Sequence, residues 1–415
     1  MADLDIVHFG VTGFTGKLVL EHFLNKKYDV KLAVCARNAA KALELVDSIA
    51  EACKATDRKP LVIEADLVCK NKADEDKLRA VVKRTKVVIT TAGPFEKYGK
   101  TLLRLCAEEG VHYADITGES DFVRSMIGES DAVARKNGAC CVVHAGNDVI
   151  PYDLTAFEMN KLAKSKGYTL TECRCYTETP LSLNVGSGGT ITTAVYQLGK
   201  TRAQRTTPFD ELLMNSEGNK SDFSLKNRSP SKAKVFIAEF EKDWGPWVMQ
   251  AVMVNGVRRS NALLGYNSSL EFGEGVLSAP TSWGEWFSEL GFKASFLAAI
   301  YMPSLFSGLL PSPGEGPSRE QMLAGFLKVH GRGTMTDGDG NTVKINSLFQ
   351  IDEDPGYLST SRMLVESGML LLEMTKKTRV DHMAKGVITP ACAFGSDIVA
   401  RLEKETCTKF TISTE

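Results

Sequence analysis

The chain has 415 residues, which is long enough for two or three domains and a large buried core. Its formal net charge is −1 and neither half is strongly basic, which argues against nucleic acid as the main partner. The 10 cysteines include no CxxC pair and are too sparse for a disulfide scaffold. Since no signal or transit peptide is evident at the N-terminus, we expect a cytoplasmic protein.

A glycine-rich turn lies near the start of the chain, in the stretch IVHFGVTGFTG (6–16). It follows an apolar strand and precedes a helix that begins near Phe14. The N-terminus of a helix offers unpaired N–H groups and a partial positive charge to a phosphate. This context predicts a dinucleotide-binding turn. Its predicted cofactor residues are Gly10, Thr12, Gly13, Phe14, Thr15 and Gly16.

The next two predicted strands face the adenosine half of such a cofactor. The second strand, 30–37, ends in Arg37, where an acid would bind the ribose hydroxyl of NAD and an arginine suits the phosphate of NADP. The third strand, 61–66, ends in Asp66, which we place at the adenine. A solvated arginine at a strand end is the alternative for Arg37. NADP is therefore the predicted cofactor.

Strands and helices continue to alternate up to about residue 150, which predicts a doubly wound parallel sheet of the Rossmann type. The fourth strand begins near Lys86 and leads into Ala92, Gly93 and Pro94. Its carboxyl end lies at the switch point of such a sheet, so we assign these three residues to the nicotinamide half of the site.

Beyond residue 169 the pattern changes. We predict a strand at 170–179, a polar surface excursion at 202–233, strands at 233–238 and 247–254, and a hairpin of 326–336 with 342–349. The hairpin turn, DGDGN (337–341), resembles a calcium loop, but Thr342 and Leu348 occupy the positions that need glycine and glutamate. No metal site is predicted.

An apolar stretch at 283–310 allows three interpretations. It can be a buried element, which includes an oligomer contact or the wall of an apolar substrate pocket; a peripheral contact with a lipid surface; or a membrane span. Pro303 interrupts it and serines dilute it, so the sequence favours the first interpretation over the second and disfavours the third.

Several residues are candidates for catalysis. Tyr98 follows the strand that faces the nicotinamide, and His144 ends a later strand, so either can be the proton donor. Asp115 and Glu119 lie at a strand's carboxyl end, but they can equally cap the following helix, and Asp153 can cap its own helix. The Ser-Tyr-x-x-x-Lys arrangement of short-chain dehydrogenases is not found.

Taken together, these motifs resemble the saccharopine dehydrogenase-like oxidoreductases, a family that includes bacterial trans-acting enoyl reductases. The segments that carry the resemblance cover nearly the whole chain: GVTGFTG (10–16), AR (36–37), GPFEKYG (93–99), YADITGE (113–119), the IPxDL core of GNDVIPYDL (146–154), GGT (188–190), PGY (355–357) and GVITPACAFG (386–395). Asn147 and Val149 depart from the phenylalanine and serine that are usual in the family.

The resemblance implies a Rossmann domain at 1–150, a mixed α/β domain at 151–354 that serves substrate binding and dimerisation, and a C-terminal segment, 355–415, that packs back on the first domain. It also implies an NADPH-dependent reductase acting on an apolar enoyl, carbonyl or imine substrate. A non-catalytic dinucleotide-binding protein on lipid droplets or membranes is one alternative. An amino-acid dehydrogenase of the saccharopine reductase type is another, and a homo-oligomer is expected.

Overall fold

The computed structural model describes residues 2–180, 187, 190, 193, 196, 210–231, 233–247, 249–279, 314–376 and 385–415. The apolar stretch 283–310 therefore lies outside the described residues. The described strands are β1 Leu4–Phe9, β2 Leu32–Ala36, β3 Leu61–Glu64, β4 Thr85–Thr90, β5 His112–Asp115, β6 Cys140–Val142, β7 Thr169–Glu178, β8 Ser224–Asn227, β9 Val235–Ile237, β10 Lys242–Gly245, β11 Ser269–Ser278, β12 Leu327–Thr336, β13 Thr342–Ile351, β14 Gly386–Ile388 and β15 Thr408–Thr414.

The helices between them carry the connections. The described α-helices are α1 Phe14–Lys26, α2 Ala39–Ala52, α3 Lys72–Val82, α4 Phe95–Glu109, α5 Ser120–Asn137, α6 Ile150–Ser165, α7 Gln250–Leu264, α8 Arg319–Leu323, α9 Thr360–Thr375, α10 Pro390–Phe394 and α11 Ser396–Glu405. Among these, no helix is both long enough and apolar enough to cross a membrane.

The first sheet contains seven described strands in the order β14-β6-β5-β4-β1-β2-β3, and all of its pairings are parallel. The order reverses between β1 and β4, so the crevice at their carboxyl ends is the topological switch point. The edge strand β14 comes from the C-terminal part of the chain. Helix α9 also returns and packs on β1, β4 and β5. A β-carbon on its Gly368 would lie 2.8 Å from Ile89 Cγ2, which shows how closely this helix approaches the sheet.

The second sheet is mixed and has the described order β15-β13-β12-β7-β11-β10-β9, with β8 also paired to β11. Its β7 and β8 run parallel to β11, and its other pairings are antiparallel. Helix α6 leads from the first sheet into the second and packs on β7, β12 and β13. One apolar cluster joins the two sheets, because it contains Ile6 and Ile89 together with Phe272 and Phe349.

The predicted α/β class with a Rossmann-type sheet and a second mixed sheet is confirmed. The hairpin is also present, as β12 and β13. The strand predicted at 247–254 is wrong, because residues from Gln250 onward form α7. This helix is buried over most of its surface, and the apolar period of a buried helix does not distinguish it from a strand. The polar excursion is wrong in part, since β8 pairs with β11.

Candidate active site

The glycine-rich turn joins β1 to α1 at the switch point. Gly10 has a φ of +98°, which favours glycine, and a β-carbon there would lie 2.7 Å from Thr91 Oγ1. A β-carbon on Gly16 would lie 2.0 Å from the carbonyl oxygen of Gly10. Gly13 differs, because its β-carbon would meet only that same oxygen, at 3.3 Å. Gly10 and Gly16 therefore allow the close packing of the turn, and Gly13 leaves room for a ligand beside it.

The first turn of α1 is suited to a pyrophosphate. Its N-cap is Gly13, which has no side chain to cap the helix, and the turn contains no acidic residue. The N–H groups of the first turn therefore stay available to an anion. Thr12 is exposed beside them, Thr15 turns towards a cavity described below, and Phe14 packs edge-on against Tyr357 with ring centroids 5.3 Å apart.

The adenosine end of the cleft is open. Arg37 is exposed directly after β2 and forms no ion pair with any residue in the described ranges. Asn38 accepts a hydrogen bond from Lys41 N at 2.9 Å and caps α2. Asp66 is exposed two residues after β3, where one carboxylate oxygen accepts a bond from Val68 N at 3.0 Å. This geometry leaves the guanidinium group of Arg37 available for a phosphate group.

The loop after β4 borders the same crevice. Ala92 N donates to Thr90 Oγ1 at 3.1 Å, and the Gly93–Pro94 peptide bond is cis. Pro94 is the N-cap of α4 and cannot cap it with a side chain. Glu119, from the loop after β5, does so instead by accepting bonds from Phe95 N and Glu96 N at 2.6 and 3.0 Å. Glu119 therefore caps α4, and not α5, the helix that follows Glu119 in the sequence.

A cavity of about 120 Å³ lies where the loops after β1, β5 and β6 meet the start of α9. Its described lining is mostly polar and contains neither lysine nor arginine. The lining residues are Thr15, Ile116, Thr117, His144, Gly146, Asn147, Asp148, Thr190, Gly356, Tyr357 and Thr360. Because Thr15 also belongs to the first turn of α1, the cavity adjoins the proposed pyrophosphate site.

Of the two predicted proton donors, His144 lies in the described lining of this cavity and Tyr98 does not. It is buried and has a φ of +62°, which is uncommon for a residue other than glycine. Its Nδ1 contacts the carbonyl oxygen of Thr117, and because that oxygen only accepts, Nδ1 must carry the hydrogen. The other ring nitrogen, Nε2, then holds a lone pair. Burial lowers the pKa of His144 to about 4, so the ring is neutral at pH 7.

The carboxyl group of Asp115 is held by hydrogen bonds from the protein. Its carboxylate accepts hydrogen bonds from the Tyr113 hydroxyl at 2.8 Å, Thr117 N at 3.0 Å and His144 N at 3.2 Å. Burial raises its pKa to about 7, although these three bonds favour the charged form. Asp115 thus ties the loop after β5 to the loop after β6, and it caps no helix.

Asp148 also lines the cavity, and the sequence analysis did not single it out. Its carboxylate accepts no hydrogen bond from any residue that the structure describes, and burial raises its pKa to about 6. The neighbouring Asn147 Oδ1 is buried and likewise lacks a partner among these residues. The available signal was positional: both follow the carboxyl end of β6, where ligand-binding residues gather in parallel sheets.

Two other candidates lie apart from the cavity lining. Tyr98 is in the first turn of α4, beneath Lys97 Nζ, which is 5.0 Å from its ring centroid. Asp153 is buried in α6, where it accepts bonds from Ser260 Oγ at 2.5 Å and from Ala391 N at 2.9 Å. Asp153 therefore stabilises the N-terminus of α10, whereas the sequence suggested its own helix.

The C-terminal part of the chain completes the cavity through a single π-helical turn, Pro355–Ser359. Asp354 caps this turn by accepting bonds from Tyr357 N and Leu358 N. The Tyr357 hydroxyl accepts a bond from Ser187 N at 2.5 Å and lies 2.9 Å from Thr190 Oγ1. Thr360 accepts a bond from Asn147 N at 3.2 Å, so it holds the loop after β6 against the turn. No group of three or more potential metal ligands occurs among the described residues.

Comparison with known proteins agrees with this arrangement. The family description "saccharopine dehydrogenase NADP binding domain" matches residues 6–142. A protein of Mycobacterium tuberculosis named as a candidate trans-acting enoyl reductase is 30% identical over 420 residues, which cover 96% of this chain and 95% of that protein. The chain belongs to the saccharopine dehydrogenase-like oxidoreductase family.

A second member of this family, the trans-acting enoyl reductase of Mycobacterium ulcerans, is 27% identical over 426 residues and 96% of both chains. The fold is similar to that of apo saccharopine dehydrogenase (L-Glu forming) from Saccharomyces cerevisiae, with a TM-score of 0.56 at 13% identity over 99% of this chain and 100% of that one. The family membership makes this chain an oxidoreductase whose cofactor is NADP(H).

Proposed function

We propose that the protein is an NADPH-dependent reductase that transfers a hydride to an apolar enoyl substrate. The observation that carries this proposal is the cavity at the switch point. It adjoins the pyrophosphate site through Thr15, and its lining includes the carboxyl group of Asp148, which has no hydrogen-bond partner among the described residues. The relatives named as enoyl reductases support reduction of a C=C bond, while a carbonyl or an imine is the alternative acceptor.

The residues of the chain would divide the work as follows. The glycine turn and the first turn of α1 hold the pyrophosphate, and Arg37 binds the phosphate that distinguishes NADP. NADPH supplies a hydride when it is bound. His144 lines the cavity and its Nε2 is the ring nitrogen that can accept a hydrogen bond, while Tyr357 and Thr360 line the cavity from the C-terminal part of the chain.

A substrate of the saccharopine type is disfavoured by the positions of the arginines. Such a substrate carries several carboxylates and needs clustered cations. Arg124 and Arg258 instead both bind Asp210, at 3.1 and 3.0 Å. Arg174 pairs with Glu172 at 2.7 Å, and Arg259 is buried within 3.4 Å of Asp131. With no lysine or arginine in its described lining, the cavity favours a neutral substrate.

Cofactor binding tests the first step. The fluorescence of NADPH and NADH is titrated with the wild-type protein, Arg37→Glu and Gly16→Ala, with Gly338→Ala as the control. Apart from Gly338 and its two chain neighbours, no described residue has an atom within 4 Å of the β-carbon position, so this variant should bind like the wild type. Gly16→Ala should weaken binding at least ~100-fold, since the turn must open to admit the methyl group. Arg37→Glu should weaken NADPH binding about 10-fold or more and leave NADH nearly unchanged.

Turnover tests the second step. NADPH oxidation is followed with an α,β-unsaturated acyl thioester, a ketone and an imine as acceptors. Oxidation with the thioester as the preferred acceptor supports the proposal. Tight NADPH binding without oxidation in the presence of any of the three acceptors would favour the non-catalytic alternative. Three further properties stay predictions: lipid contact through 283–310, a cytoplasmic or lipid-droplet location, and homo-oligomerisation.

A further inference from the structure

Reduction of a C=C bond requires a proton as well as a hydride, and the structure restricts where that proton can come from. This inference rests on the reductase proposed above. Among the described residues of the lining, three are titratable: His144, Asp148 and Tyr357. Asp115 is a further buried carboxyl, at the end of the strand that precedes Ile116 and Thr117 of the lining. Each has a different set of hydrogen-bond partners, which allows the four to be compared.

His144 is a poor acid in this setting. Its Nδ1 hydrogen is committed to the carbonyl oxygen of Thr117, and its Nε2 carries a lone pair. To donate a proton from Nε2, the ring would first have to become charged. Burial opposes that charge and lowers the pKa to about 4. His144 is therefore an acceptor of hydrogen bonds in this cavity at neutral pH.

Tyr357 and Asp115 are held by their own partners. The Tyr357 hydroxyl contacts both Ser187 N and Thr190 Oγ1, so it joins the π-helical turn to these two residues. Asp115 accepts three hydrogen bonds, two of them from backbone N–H groups. Neither group is presented to the cavity without a partner.

Asp148 is different, because its carboxyl lines the cavity and has no hydrogen-bond partner in the described part of the chain. Its Oδ2 lies against Gly118, 3.4 Å from the position that a β-carbon would take there. Val149, the next residue, is buried and packs on Gly256 of α7, where a β-carbon would lie only 2.4 Å from Val149 Cγ1. The loop is thereby fixed with Asn147 and Asp148 both on the cavity.

We propose that Asp148 is the catalytic acid that protonates the substrate. The hydride forms a new C–H bond at one carbon of the double bond, and the π electron pair moves to the other carbon. That carbon takes the proton from the Asp148 carboxyl, whose O–H bond breaks and leaves a carboxylate. Water then returns a proton to Asp148. The sum is one hydride from NADPH and one proton from solvent added across the double bond.

The surroundings of Asp148 keep its carboxyl protonated to a higher pH than that of a solvent-exposed aspartate. Burial raises its pKa to about 6, within the range where an acid transfers protons effectively. The titratable groups around it are the neutral His144, Tyr357 and the buried Tyr152, whose pKa is raised mainly by burial and then by Glu274 and Asp148. Glu274 on β11 is buried without a partner among the described residues, and burial raises its pKa to about 8. The described lining contains no lysine or arginine that would lower the pKa of Asp148.

Kinetics of Asp148→Asn and Asp148→Glu test the proposal, with the exposed Asp339→Asn in the hairpin turn as the control. Asp148→Asn should keep NADPH affinity within about twofold and lose ~100-fold or more in kcat. Asp148→Glu should recover part of that loss. In the wild type kcat should fall as pH rises through about 6, and this fall should be absent from Asp148→Asn.

A second readout does not depend on activity. Because the folded protein holds Asp148 protonated more strongly than the unfolded chain, the wild type should lose stability relative to Asp148→Asn as pH rises from about 4 to 6. The Tm of Asp148→Asn should therefore exceed that of the wild type above pH 6, and the two should converge near pH 4. A lower Tm for Asp148→Asn at pH 7 would mean that the carboxylate is structural.

The outcomes separate this proposal from the one on which it rests. If the wild type binds NADPH but reduces no acceptor, the reductase function and this role fall together. If the wild type is active and Asp148→Asn retains both its rate and the decline above pH 6, only the role of Asp148 is overturned.

Discussion

Two adjacent loops at the carboxyl edge of the first sheet both carry acidic side chains, but the carboxyl groups differ in their hydrogen-bond partners. The loop after β5, 116–119, is flanked by Asp115 and ends in Glu119, and both carboxylates are occupied by N–H or O–H donors. The loop after β6, 143–149, carries Asn147, whose Oδ1 is buried, and Asp148, whose carboxyl lines the cavity. Neither of these side-chain groups has a hydrogen-bond partner among the described residues.

The difference shows that burial alone does not identify a chemical group. Burial raises the pKa of both Asp115 and Asp148, to about 7 and about 6. What distinguishes them is the number of donors around each carboxyl. A buried carboxyl that is fully hydrogen-bonded stabilises a particular loop conformation, whereas one without partners is costly for stability and is available to a ligand.

The largest effect is expected for Asp115→Asn. The amide keeps one oxygen, but its NH2 group would face donors that the carboxylate now accepts from. We expect the free energy of unfolding to fall by about 3 kcal/mol in urea denaturation at pH 7. The matched Asp148→Asn should not lower it. Equal losses for the two variants would remove the distinction between the loops.

Glu119→Gln should have a smaller effect on the same loop. Glutamine can accept one of the two hydrogen bonds that cap α4, and it loses the negative charge that favours a helix N-terminus. The expected loss is about 1 kcal/mol in the free energy of unfolding. Glu51→Gln, at an exposed position on α2, should change this free energy by no more than ~0.5 kcal/mol. If both variants behave alike, Glu119 does not act as a cap.

The smallest effect is expected for Thr360→Val, which tests how the loop after β6 is held. Valine keeps the shape but removes the hydroxyl that donates to Pro355 O and accepts from Asn147 N. We expect a loss of about 0.5 kcal/mol in unfolding free energy, together with a higher KM for the substrate. Thr360→Ser should restore both, and a KM unchanged in Thr360→Val would show that the loop is fixed by other contacts.

Local patterns along the sequence were sufficient to predict the first sheet and its cofactor turn. The spacing of Gly10, Gly13 and Gly16 and the alternation of strands with helices depend on neighbouring residues, and the structure has the same turn and a parallel sheet there. Two of these glycines are required by packing, because a β-carbon at Gly10 or Gly16 would collide with the backbone or with Thr91.

The cavity could be predicted only in part, because its walls come from distant segments. His144 was predicted from its strand end, but the partner that fixes its tautomer, Thr117, lies 27 residues earlier. Thr360 reaches Asn147 across 213 residues. Asp148 was missed because its only signal in the sequence is its position after a strand, which Asp115 shares. The absence of hydrogen-bond donors around Asp148 in the described part of the fold distinguishes the two.

Transfer of deuterium tests the reductase most directly. The wild-type protein is incubated in H2O with NADPH deuterated at the transferable position and an α,β-unsaturated acyl thioester, and the product is analysed by mass spectrometry. A second reaction uses ordinary NADPH in D2O. We expect one deuterium from the cofactor in the first product and one from solvent in the second, on the two carbons of the former double bond. NADPH binding with no label transferred to any product would contradict the proposed function.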